Sequence, residues 1–250
     1  MDLNADLGEG FGIWRLGDDD ALLALVTSAN VACGFHGGDP STMRRVCEGA
    51  ARRGVAVGAQ VGYRDLAGFG RRRIAYDFAE LRDEITYQLG ALDAFCRLFR
   101  TRVRYLKPHG ALYHAAATDE SQAAAVVAAV SGHDPDMPVL CLPGSTLAQL
   151  AVGAGLPVVA EAFADRGYLP NGSLVPRGAP GALITDPEEV ATRAVRMATE
   201  RTVVAVDGSV IPCPVESICV HGDTPGAVSA TELVRASLID ADVPLAPFAA

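Results

Sequence analysis

Short apolar runs rich in β-branched residues alternate along this chain with longer amphipathic stretches, the pattern of repeated strand–helix units. The short runs predict strands at residues 3–6, 28–32, 55–60, 103–107, 139–142, 158–162 and 217–220. The longer ones predict helices. One starts after Asp39-Pro40, where Asp39 or Ser41 can cap the first turn and Pro40 suits the start; it ends at Arg52-Arg53-Gly54. The longest covers 77–100, with Leu81, Ile85, Leu89, Leu92 and Phe95 on one stripe. Others are expected at 120–130, 145–152, 187–200 and 225–239. Asp207-Gly208 between apolar flanks predicts a small hairpin over 202–214, and 240–250, with two prolines, reads as a loosely held tail.

Seven strands joined by crossovers imply an α/β fold with a parallel sheet, either closed as a (βα) barrel or open and doubly wound. Almost every strand is followed at once by polar residues: Asp6 and Glu9; Asn30, Cys33 and His36; Gln60, Tyr63 and Asp65; Lys107 and His109; Glu161, Asp165 and Arg166; His221 and Asp223. An open sheet focuses only one or two strand ends at its switch point, whereas a barrel gathers all of them at one face. Six polar ends favour a seven-stranded barrel.

The 250 residues suit one domain spanning 1–250, long enough to bury roughly 70–75% of its unfolded surface without staples. The longest nearly uncharged run, 147–160, is shorter than the ~20 residues that span a bilayer, and the acidic start MDLNADLGEG lacks the features of a signal peptide. A cytoplasmic protein without a membrane partner is expected. The net charge of −9 argues against nucleic acid. Six cysteines form no C-x-x-C pair, and H-x-H and H-E-x-x-H are absent, so no metal site is expected. No P-loop or G-x-S-x-G elbow occurs either.

Candidate chemistry lies in four segments. In SANVACGFHGGDP, glycines flank His36 and leave it little packing of its own, and backbone N–H groups before a helix suit an anion; an ordinary strand, turn and capped helix is the alternative. In YLKPHGALYH, Lys107 ends a buried strand and needs a carboxylate such as Asp6 or Glu161, or a bound anion. His109 sits on a stiff turn suited to acid–base work, while His114 is expected at the surface. In DLNADLGEGFG, alternation places Asp2, Asn4 and Asp6 on one side. In LAGFGRRR one of Arg71, Arg72 and Arg73 is expected to matter, and Arg72 is placed in the candidate site. The stretch 164–184, full of helix breakers, reads as a lid-like loop.

Together DLNADLGEGFG, SANVACGFHGGDP, DLAGFGRR, LKPHGALY, EAFADRGYLPNGSLVPRGAPGA and ICVHGDTPGAV resemble, in order and over nearly the whole chain, the LamB/YcsF family of 5-oxoprolinase (ATP-hydrolysing) A subunits. The resemblance implies a βα barrel of the glycoside hydrolase/deacetylase type and cleavage of 5-oxoproline to L-glutamate, with hydrolysis of ATP to ADP and phosphate. It also implies partner subunits B and C and ATP, used as Mg-ATP, with no tightly bound cofactor. Gln60 and Val61 stand where the family pattern has histidine and proline, and Arg64 where it has proline. On this reading Asp6, His36, Lys107 and His109 are catalytic: Lys107 faces developing negative charge, Asp6 positions water, His109 protonates the ring nitrogen and His36 holds an anion. Asn4, Glu9, Asn30, Gln60, Tyr63, Arg72, Glu161, Arg166, His221 and Asp223 bind substrate. Two other readings stay open, a metal-dependent lactam hydrolase or deacetylase and a non-catalytic substrate-binding subunit. The acidic surface suits either a homo-oligomer or the partner complex.

Overall fold

All seven predicted runs become strands of a closed, wholly parallel barrel, in the computed structural model that describes residues 1–224 and 226–249. The strands are β1 (Asp2–Leu7), β2 (Ser28–Ala32), β3 (Ala56–Val61), β4 (Val103–Pro108), β5 (Val139–Cys141) and β6 (Val158–Phe163). The predicted hairpin forms outside the barrel as the antiparallel pair β7 (Thr202–Val204) and β8 (Val210–Pro212). The last strand, β9 (Ser217–Val220), pairs with both β6 and β1 and closes the ring. The helices are α1 (Asp19–Leu23), α2 (Pro40–Arg53), α3 (Phe78–Leu98), α4 (Gly110–Ala116), α5 (Glu120–His133), α6 (Thr146–Gly153), α7 (Pro187–Thr199) and α8 (Ala227–Asp240). The expected start of the last helix at residue 225, and residue 250 of the tail, lie outside the described residues.

Strand alternation divides the chemistry between two faces. Leu3, Ala5 and Leu7 of β1, Ala29 and Val31 of β2, and Val57, Ala59 and Val61 of β3 join the apolar layer under the helices. α3 completes it with Leu81, Ile85, Leu89 and Leu92, each at most 1% exposed, a burial of about 1.5–3 kcal/mol per side chain. The opposite parity fills the lumen with Asp2, Asn4, Asp6, Ser28, Asn30, Gln60, Tyr105 and Lys107. Although it carries two aspartates and an asparagine, no part of β1 is solvated: every residue of it is buried. Gly58 faces the same lumen, where a Cβ would lie 2.1 Å from the Tyr105 ring.

Two helices absent from the sequence reading are short. α1 spans five residues behind its Asp18 cap, and α4 spans seven, with no side-chain cap at His109. Neither is long enough to show a helical period.

The tail is not loose. Phe248 packs on Tyr105 with ring centroids 4.8 Å apart, Val243 and Leu245 rest on the core, and the Met1 ammonium donates to Pro244 O at 2.7 Å. Phe248 and Ala249 thus cover Tyr105, Leu140 and Val159. Because Phe248 is half-buried, Phe248→Ala should cost about 1–2 kcal/mol, below the 3–5 of a fully buried phenylalanine, and leave the chemistry at the other barrel end intact. Urea unfolding measures it.

Candidate active site

The C-terminal ends of the strands surround a cleft lined by Asp6, Lys107, His109, Tyr113, Phe163, His221 and three arginines, Arg71, Arg166 and Arg177. At its floor the Lys107 ammonium lies 2.7 Å from Glu161 and 3.3 Å from Asp6, with Cys219 Sγ at 3.2 Å and the Phe163 ring centroid at 5.0 Å. Burial opposes every charge here. The carboxylates outweigh it at Lys107, holding the ammonium well above the usual lysine range, and Lys107 with His221 holds Asp6 well below the usual carboxyl range. At Glu161 burial outweighs Lys107 and the proton affinity is raised. Lys107 and Asp6 are consequently an ionised pair at neutral pH. The bland alternative from the sequence, a structural ion pair, is realised with both expected carboxylates, but the pair also opens onto the cleft.

Beneath it a network fixes every rotamer. Asn30 donates to Asn4 Oδ1 at 2.6 Å and to Asp6 Oδ1 at 2.9 Å, Asn4 donates to Glu161 at 3.1 Å, and Tyr105 donates to Asn30 at 2.6 Å. Tyr113 of α4 donates to the other Glu161 oxygen at 3.0 Å. Asp2, lower still, accepts from Thr27, Ser28 and Ser217 and closes the polar column.

Beside the cleft, His36 and His109 stack with centroids 3.8 Å apart and planes 7° from parallel. Gln60 joins them to Glu9. Its amide N–H groups point at His109 Nδ1, 3.0 Å away, and Glu9 Oε1, 3.1 Å away, while its oxygen lies 3.2 Å from His36 Nε2. His109 Nε2 is 3.0 Å from Phe69 O, a pure acceptor, so the proton sits on Nε2 and Nδ1 accepts from Gln60. The same amide orientation puts the His36 proton on Nε2. Burial pushes both imidazoles down, His36 to about 4, so both are neutral.

Three expectations change with this geometry. His36 does not lack packing; it is fully buried. Nor does the start of the helix after it hold free N–H groups for an anion. Asp39 already accepts from Ser41 N and Thr42 N, Pro40 has no N–H, and the Gly34 and Gly38 amides donate to Gly37 O and Gly10 O. His109, neutral and bonded at both nitrogens, is also unsuited to donate a proton. Glu9, His36 and His109 do offer ligand atoms within 4.8 Å of one another, a set that suits a transition metal. Their present arrangement fits one poorly, because the in-plane lone pairs of stacked rings run side by side and Gln60 bonds all three groups.

The remaining candidates divide clearly. Arg166 is buried at the cleft wall and holds the 164–184 loop by donating to Ala182 O at 2.9 Å and Val175 O at 2.7 Å. Asp223 lies at the rim, 2.5 Å from Arg71. Tyr63 does not reach the site: it has the outward parity of Val57 and Val61 and donates to Gln122 of α5 at 2.8 Å. Arg72 is exposed and paired with Asp65, so Arg71 is the arginine that lines the cleft. Arg64 stacks over Phe35. His114 is exposed as expected, yet it also edges the cleft. Arg177 and Tyr113 carry no signal of their own in the sequence, although both stand in segments that do.

Comparison with known proteins agrees with this architecture. The model of the LamB/YcsF family matches residues 1–250. The chain belongs to that family. It is 60% identical over 249 residues to the 5-oxoprolinase A subunit of Streptomyces griseus, covering 100% of both chains. It is 56% identical over 248 residues to the same-named protein of Mycolicibacterium gilvum, covering 99% of this chain and 98% of that one. Among solved structures, the lactam utilization protein of Thermus thermophilus superposes with a TM-score of 0.95 at 44% identity, over 99% of each chain. For this LamB/YcsF member, no described helix is long and apolar enough to cross a membrane.

Proposed function

We propose that this chain is the A component of a cytoplasmic 5-oxoprolinase, cleaving 5-oxoproline to L-glutamate while ATP becomes ADP and phosphate, together with partner subunits B and C. One observation carries the reading: an ionised Lys107–Asp6 pair at the floor of a cleft whose upper wall is rich in arginine. The names of full-length relatives at 56–60% identity support the substrate class.

Arg71 and Arg177 offer forked donors to the carboxylate of the substrate. Lys107 faces the lactam oxygen as negative charge develops there, and its fixed network means no reorganisation at that moment. Asp6, the stronger acid of the floor, stays ionised to orient water. ATP, supplied as Mg-ATP, would phosphorylate the lactam oxygen and make the ring carbon open to attack. Asn4, Asn30 and Glu161 position these groups from below rather than touch substrate.

The test is glutamate release from 5-oxoproline and ATP by this chain alone, by its B and C partners alone, and by all three. Glutamate only from the complete mixture is the expected result; none in any mixture overturns the reading. The second reading, a metal-dependent hydrolase, would require Glu9, His36 and His109 to exchange their bonds to Gln60 for an ion. Glutamate formed by this chain without ATP, and abolished by a chelator, would select it.

A further inference from the structure

His36 and His109 both have their Nε2 atoms engaged, and neither presents a free basic nitrogen to the cleft. His221 differs. It leaves β9 beside β6, and its Nδ1 lies 2.8 and 3.0 Å from the two oxygens of Asp165. The backbone N–H of His221 donates to the same carboxylate at 3.1 Å. Phe163 stacks on the ring at 5.3 Å and 17°, fixing its plane. A carboxylate at Nδ1 places the proton there and turns the lone pair of Nε2 outward. Among the described residues nothing hydrogen-bonds Nε2, and the ring lines the cleft with Asp6 and Lys107.

We propose that His221 is the proton carrier of lactam cleavage and Asp165 its positioning residue, an inference that rests on the lactam-cleaving reading above. As water attacks the ring carbon whose oxygen carries the phosphoryl group, the new C–O bond forms, the π pair at that carbon moves onto the ring nitrogen, and Nε2 takes one proton from that water. Asp165 stabilises the imidazolium. When the C–N bond breaks, its electron pair goes to nitrogen, which takes the same proton from Nε2, while the new hydroxyl forms the carbonyl and gives its proton to solvent; a second water then hydrolyses the resulting acyl phosphate to carboxylate and inorganic phosphate. Among the described residues, the charged and titratable groups that line the cleft with this ring are Asp6 of β1, Lys107 of β4, His109, Tyr113 and His114 just beyond it, Arg71, and Arg166 and Arg177 of the loop.

The experiment measures glutamate release by the complete subunit mixture across pH 5.5–9 for wild type, His221→Gln and Asp165→Asn. His221→Gln should lose about 10²–10⁴ in kcat with KM changed by no more than a few-fold, and the limb of the pH profile set by the imidazole should vanish. Asp165→Asn should lose a comparable factor in kcat, since the amide no longer holds the ring in the required tautomer. Added imidazole should restore part of the rate to His221→Ala, which separates lost chemistry from lost folding. An active wild type beside a His221→Gln variant within three-fold of its kcat overturns the assignment, as does a loss expressed in KM alone. No glutamate from the wild-type mixture overturns the underlying lactam reading instead.

Discussion

Lys107→Met should cost roughly 3–5 kcal/mol of folding stability, because it leaves the buried Asp6 and Glu161 without their shared cation. For a chain of this size that lowers Tm by roughly 6–20 °C. Turnover should fall as well, by about 10²–10³-fold, the usual consequence of removing a fixed donor from developing oxyanion charge. The double variant Lys107→Met with Glu161→Gln separates the two effects. It removes one stranded carboxylate, so thermal denaturation should show part of the stability restored while glutamate release stays as low as in the single variant. A single variant that costs under about 1 kcal/mol would mean the ion pair is solvated, contrary to its burial.

Acid should act strongly through His36. Its imidazole is ordinary in the unfolded chain, titrating near 6.5, and is pushed down to about 4 in the folded one by burial, which its Gln60 bond and Asp6 offset only in part. Between those values the unfolded state binds the proton and the native state does not. This contribution to stability is therefore present above pH 6.5 and is lost as pH falls towards 4. It amounts to about 2 kcal/mol between pH 7 and pH 5, and about 3 by pH 4. Burial and Asp6 raise Glu9 in the same cluster, which works in the opposite direction, so the informative quantity is a difference. The stability gap between wild type and His36→Gln, from urea unfolding at several pH values, should shift in favour of the variant by those amounts on acidification. A gap that does not vary with pH would place a charged imidazole in the native state.

The barrel was legible because its information is local. Each strand is a short apolar run ended by glycine or polar residues, and no predicted bound differs from the observed one by more than one residue. The clustering of Asp6, Lys107 and Glu161 was legible too, since strand C-termini of a parallel barrel converge. Side-chain direction was less so. Tyr63 belongs to the outward parity of β3, a signal present in the alternation of Gly58, Gln60 and Val61 but hidden when the strand is read as ending at Gln60. The choice between Arg71 and Arg72 depends on the turn held by Asp65, which no local pattern encodes. The neutrality of His36 and His109 depends on an amide, a ring and a carbonyl from three segments meeting in space. Asp165 was visible as a polar strand end; its partnership with His221 required knowing that β6 and β9 are neighbours.

The seam of the barrel has a consequence for synthesis. β1 leaves the ribosome well before β9, yet one of its edges is completed only by that strand, and Ser217 bonds to Asp2 across 215 residues of chain. At about 5–20 residues per second, β1 waits roughly 10–40 s with that edge open and Asp2 without its Ser217 bond. Nascent chains of this protein should therefore stay sensitive to protease and hold chaperones until β9 emerges, and then become resistant in a single late step.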